Sequence, residues 1–284
     1  MIFAQALNGL ALGALFMILS SGLAMIYGLR GVMNFAHGAL YTLGAYAAYE
    51  VSRVSSFWVA LVAAPLLLAA LGGVLELTIL RRLQHRDHME VGLITFGLAL
   101  MIEPVIAKIW GTQTLSVSPP TILQGSVSVL GTEYPVYRLA IIVIAGVLAL
   151  SLVAWLRFSS VGLEVRAASH NTEAAAILGV NVDRVSLMVV CVGAALAGLG
   201  GALAAPFFSV EPAMGHSILI TVLIVVVVGG IGSIGGAMLA GLGLGVFQTV
   251  GAIWVPALAV LAPFVALIAI LIWRPTGLAG KRLA

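Results

Sequence analysis

Residues 212–273 contain no Asp, Glu, Lys or Arg. Crossing the hydrocarbon of a bilayer takes about 20 consecutive apolar residues in a helix. This run is therefore long enough for more than one crossing, and its glycines and prolines divide it into apolar pieces at 217–228, 237–250 and 255–273. Upstream, residues 3–27, 32–49, 57–80, 91–110, 138–156 and 187–205 read in the same way, separated by short polar turns. The whole chain is 62% hydrophobic and 8% charged over 284 residues, with mean hydropathy +1.19, far outside the soluble globular range. The expected fold is an all-α polytopic membrane protein, one transmembrane domain over residues 1–284 with eight or nine membrane helices, some of them broken or re-entrant. The apolar start has no basic region ahead of it, so residues 3–27 are expected to be a retained first span rather than a cleaved leader.

A net charge of +3 on short loops does not make a nucleic-acid surface, and the basic residues read as topology signals instead. Cys191 has no second cysteine to pair with, which excludes an intrachain disulfide and a cysteine metal cluster. His85 and His88 are spaced to share a helix face, but no further ligands stand near them, so a solvated loop is the reading and no metal site is expected.

Charge concentrates in residues 157–186, with Arg157, Glu164, Arg166, Glu173, Asp183 and Arg184. This stretch belongs in water. Within it Asn171 is a good N-cap, residues 172–178 can make two helical turns, and Gly179 suits a left-handed helix end. Ala174, Ile177 and Leu178 share one face as a small apolar stripe. Such a helix is either a cap on an ordinary loop or a docking element.

Two further segments combine glycine with polarity at membrane depth. Asn34 and His37 open the 32–49 run, either as a capped helix start or as a broken helix facing a pathway. Gly230, Gly232 and Ser233 lie in the glycine-rich break 229–236, which either turns at the membrane surface or unwinds beside a cavity. These five residues are the candidates for a translocation pathway. NFAHGALYTLGAY and GSIGGAMLAGLGL echo each other, and paired breaks of that kind mark pathways in transporters with internal repeats. Glu103 and Lys108 lie towards the far end of the 91–110 run beside Pro104, where a kink, an interfacial charge pair or a charge facing a vestibule are the readings, and they are taken as interfacial. Residues 111–137 form the long loop on the opposite side, with an alternating pattern at 126–134 that predicts a small hairpin. It would either receive a solute receptor or act as a lid.

Glu173-Ala174-Ala175, three residues, then Gly179 resembles the EAA loop of ABC importer permeases. The longer words YGLRGVMNFAHGALYTLGAY, VGGIGSIGGAMLAGLGLG and WRPTGLAG are similar to the permease subunits of branched-chain (hydrophobic) amino acid ABC importers, of the H-type of the two paired permeases. That resemblance spreads over most of the chain. It implies ATPase coupling through Glu173, Ala174, Ala175, Ile177, Leu178 and Gly179. It also implies a second related permease, two cytoplasmic ABC ATPases that hold the ATP and Mg, an extracytoplasmic solute-binding protein, and a bacterial-type inner membrane. This chain itself would bind no cofactor and catalyse nothing.

Orientation follows from charge. With residues 157–186 cytoplasmic, alternating spans put Arg30, Arg81, Arg82, Arg86, Arg157, Arg166, Arg184, Arg274, Lys281 and Arg282 on that side, ten of the 13 basic residues. The C-terminus is then cytoplasmic and the N-terminus extracytoplasmic. No GxxxxGK phosphate loop occurs, since residues 277–281 have the wrong spacing. The C-terminal third also lacks the buried acidic or basic groups typical of ion-coupled carriers. The rival readings are a stand-alone facilitator for a small polar solute such as urea or an amide, and a membrane scaffold that moves nothing.

Overall fold

A computed structural model describes residues 2–84, 86–129 and 131–280, except the side chains of residues 257 and 258. His85, Lys281 and Arg282 therefore lie outside the described residues. In chain order the elements are α1 (Ile2–Arg30), α2 (His37–Val54), α3 (Phe57–Thr78), α4 (His88–Trp110), β1 (Ser126–Val129), β2 (Thr132–Pro135), α5 (Val136–Phe158), α6 (Ser160–His170), α7 (Thr172–Ile177), α8 (Val182–Ala204), α9 (Met214–Gly229), α10 (Ile234–Trp254) and α11 (Pro256–Trp273). Among the described residues, α1, α3, α4, α5, α8 and α10 are long and apolar enough to cross a membrane, and α2, α9 and α11 complete the bundle with shorter pieces. The charged stretch 157–186 holds the end of α5, the short helices α6 and α7, and the first turn of α8.

Most helices start on a side-chain cap at a polar turn. Ser56, Asp87, Ser159, Asn171, Asn181 and Ser233 each accept a backbone N–H from the first turn that follows. Two exceptions are instructive. α2 and α9 begin at Ala36, which is buried, and at Ala213, which is exposed, with no side-chain cap among the described residues.

After Arg30 the chain turns back non-helically along α1 and α4. Phe35 N donates to Thr95 Oγ1 at 3.1 Å, Asn34 Oδ1 accepts from Ala36 N at 3.0 Å, and His37 Nε2 donates to the Leu19 carbonyl at 3.0 Å. A carbonyl can only accept, so the Nε2–H tautomer follows from the network. Leu19 lies about 16 Å along α1 from Arg30 by the helical rise, so α2 begins near mid-depth. From there α2 runs outward until Glu50 accepts from Trp110 Nε1 at 2.7 Å. The 32–49 run thus crosses, irregular first and helical after.

α9 does the same in the opposite sense. Its Gly215 meets the Gly38 backbone of α2, so the two short helices start against each other, and α9 then runs back towards the Arg30 end. Around them the contacts repeat with inverted direction: α3 packs on α8 and α10 on α1, α4 on α2 and α11 on α9. The repeat partner of α2 is therefore α9, whereas the echo in the sequence pairs α2 with α10. Glycine spacing misleads here, because α10 mirrors α3 in packing. The glycine break at 230–233 is a tight turn at the Arg30 end, with Gly230 and Gly232 at positive φ and Gly232 beside Gly28.

Small residues allow the helices this proximity. A methyl group on Gly245 would lie 2.3 Å from Gly13 N across the α1–α10 seam, and one on Gly201 would lie 2.1 Å from the Tyr41 carbonyl across α2–α8. At the Arg30 end a buried polar knot ties three helices: Arg30 pairs with Glu76 of α3 and donates from Nε to Ser186 Oγ of α8 at 3.1 Å, while Ser186 donates to Glu76 at 2.9 Å. Glu76 is only 1% exposed.

Candidate functional site

At the Arg30 end, α7 stands out from the bundle. Asn171 Oδ1 accepts from Ala174 N at 2.9 Å and starts the helix. Gly179, at φ +89°, ends it: Gly179 N donates to the Ala176 carbonyl and Val180 N to the Ala175 carbonyl, both at 3.0 Å, the paired bonds of a Schellman end. Ala175 is buried against the chain itself, whereas Glu173 and Ala174 are exposed and Ile177 and Leu178 are 85% and 83% exposed. Two large apolar side chains are thus held bare on a rigid turn, next to Glu173 and followed at once by α8. The start of α8 is fastened by Ser186 to the knot described above and by Asp183 to Arg81.

At the other end a cavity of about 720 Å³ opens between α1, α9, α10 and the start of α5. Its wall is polar where membrane helices are usually apolar. α1 contributes Gln5 and Asn8, α9 contributes Ser217 and Thr221, α10 contributes Gln248 and Thr249, and Arg138 and Glu211 bring opposite charges to the same space. Arg138 is anchored by Asn8 Oδ1 and stacks 5.0 Å from the Phe207 ring centroid, and Thr249 donates to the Gln5 carbonyl at 3.1 Å. Gln248 Oε1 is buried without a hydrogen-bond partner among the described residues. Phe16, Tyr41, Met214 and Ile218 form the apolar floor. Such a wall can take both charges of a zwitterion and give an apolar side chain somewhere to lie.

The residues singled out from sequence fall elsewhere. Asn34 and His37 serve the lead-in to α2, and Gly230, Gly232 and Ser233 shape the turn at the Arg30 end, so none of the five lines the cavity. Gln5, Asn8, Arg138, Glu211 and Gln248 were not legible as a group, because they come from elements far apart in the chain. The one hint was an amide at Gln248 in an otherwise apolar run. The carboxylate of Glu103 meets His216 Nδ1 of α9 at 2.9 Å rather than Lys108. The loop 111–137 contains the expected hairpin, with Ser126 opposite Pro135, and Leu115 bridges Val210, but among the described residues of that loop only Thr114 reaches the cavity.

Residues 5–272 match the family described as "Branched-chain amino acid transport system / permease component". The chain belongs to this family. The permease is 28% identical to the LivH permease protein of Salmonella typhimurium, covering 98% of this chain and 95% of that one. It is 27% identical to LivH of Escherichia coli and 28% to BraD of Pseudomonas aeruginosa, with the same coverage. All three are named as high-affinity branched-chain amino acid transport system permease proteins. Among solved structures, a chain of PsaBC from Streptococcus pneumoniae superposes with a TM-score of 0.50 at 14% identity, over 93% of this permease and 90% of that chain, a likeness of fold.

Proposed function

We propose that this permease is the membrane-spanning subunit of a binding-protein-dependent ABC importer for branched-chain or related amino acids. The observation that carries the reading is the family match over nearly the whole chain. Geometry supports it from both ends: a rigid exposed helix with a bare apolar pair at one end, and a cavity with both charges and an apolar floor at the other. In this reading the Arg30 end is cytoplasmic and α7 docks into an ATPase. Two such ATPases hydrolyse ATP with Mg, a second related permease completes the pathway, and a binding protein delivers the solute to the cavity end.

ATP binding on the partners moves α7, and the Schellman end keeps α7 rigid so that the movement reaches α8 rather than dissipating in the turn. The Arg30–Glu76–Ser186 knot then passes it to α1 and α3. Labelled leucine uptake into proteoliposomes tests this, with the permease alone and with its partner subunits. Uptake only by the full set with ATP is expected. Uptake by the lone chain without ATP overturns the reading in favour of a facilitator, and binding of partners without uptake of any amino acid overturns it in favour of a scaffold.

A further inference from the structure

Glu103 sits deep in α4, about 22 Å along the helix from His88 and about 10 Å short of Trp110. Its partner His216 follows Gly215, which abuts Gly38 near the mid-depth start of α2. Neither side chain is enclosed, with 33% of Glu103 and 41% of His216 exposed. A carboxylate at this depth turned towards lipid is strongly unfavourable, and an imidazole partner relieves that only in part. The face that carries the pair is therefore turned away from lipid, and in the transport reading it looks onto the space shared with the second permease. Neither Glu103 nor His216 lines the cavity: Ser217, Ile218 and Thr221 form the cavity side of α9, while His216 faces α4 across a separate, narrower cleft. Behind the pair, the cleft between α2, α4 and α9 has room for about 10 Å³, about one water, so a solute can reach Glu103 only from the open side.

Resting on the transport reading above, we infer that Glu103 is a specificity residue of the translocation pathway, a carboxylate that takes the α-ammonium of the passing amino acid, and that His216 is its positioning residue. Ammonium donors bind a carboxylate by charge-assisted hydrogen bonds, which a neutral solute of the same shape cannot make. Exposed Ile220 lies one turn further on the same face and offers contact to an apolar side chain.

The test uses the complete transporter in proteoliposomes. Glu103→Gln keeps the shape and removes the charge, and leucine uptake is expected to fall at least tenfold, while co-purification with the ATPases and basal ATP hydrolysis stay as in the parent. Glu103→Asp restores part of the uptake, and His216→Ala raises the leucine concentration needed for half-maximal uptake more than it lowers the maximal rate. Separately, in a Cys191→Ala background, Glu103→Cys and His216→Cys are labelled by a membrane-impermeant charged thiol reagent, and leucine slows the labelling. Wild-type uptake by Glu103→Gln overturns the inference. So does labelling by a lipid-soluble maleimide alone, which places the pair in lipid, or labelling of the lone chain but not of the assembled complex, which makes it a subunit contact. Labelling needs no turnover, so it decides the point even where the parent complex fails to transport, the outcome that would overturn the transport reading instead.

Discussion

Docking through α7 is the most exposed part of the proposed mechanism, and Ile177→Ala with Leu178→Ala tests it directly. The two side chains are 85% and 83% exposed in the lone chain, so whatever they contribute must come from a partner that covers them. Each substitution removes about three methyl or methylene groups at about 0.8 kcal/mol apiece, which gives about 5 kcal/mol for the pair if fully covered and about 2 kcal/mol if half covered. In affinity for the ATPase that is a loss between roughly thirtyfold and a few thousandfold. The permease itself should not notice, because substitutions at exposed positions usually stay within about 0.5 kcal/mol. Binding of the ATPase to nanodisc-held permease gives the affinity, uptake gives the consequence, and the melting curve of the permease controls for folding. An affinity within threefold of the parent would refute the docking role, because no other part of α7 presents comparable apolar surface.

Gly179→Arg should uncouple transport without impairing membrane insertion, since φ +89° strains any side chain while the space around it is open. Left-handed backbone costs a non-glycine residue about 1–2 kcal/mol, enough to fray α7 but not the bundle, and ATP hydrolysis without uptake is the expected readout. Gly201→Ala forces its methyl group into the backbone of α2, and a loss of about 1–3 kcal/mol or more is expected in thermal unfolding in detergent. Gly146→Ala, which meets open space in the interior of α5, should keep or slightly raise the melting temperature, since alanine gains about 0.5–1 kcal/mol over glycine there. Glu76→Ala strands Arg30 in the interior and should cost about 3–5 kcal/mol, whereas Arg30→Met with Glu76→Leu should restore much of that loss. A double variant no more stable than the single one would mean that the knot is held by Ser186 and the Leu80 carbonyl rather than by the ion pair.

Much of this molecule follows from local physics that a linear chain already carries. Absence of charge over residues 212–273 and the other apolar runs dictates membrane helices, because no other reading places so much apolar surface out of water. Asn171 and Gly179 bound α7 because capping and left-handed termination are properties of single residues and their immediate neighbours. The hairpin at 126–135 follows from alternation in the same way. Where two local readings were available, only the tertiary structure chose. The 31–36 segment stays non-helical because Thr95 and Asn34 satisfy its Phe35 and Ala36 N–H groups, and the 230–233 glycines turn at a surface because α1 ends beside them. What no local rule could supply is convergence. Gln5, Arg138, Glu211 and Gln248 share one cavity, and Glu103 meets His216, only because two inverted halves bring α1 against α10 and α9 against α2. Helix formation depends on neighbours a turn away, but a site depends on which helices pack together, and that is decided by glycine seams and buried polar contacts spread over the whole chain.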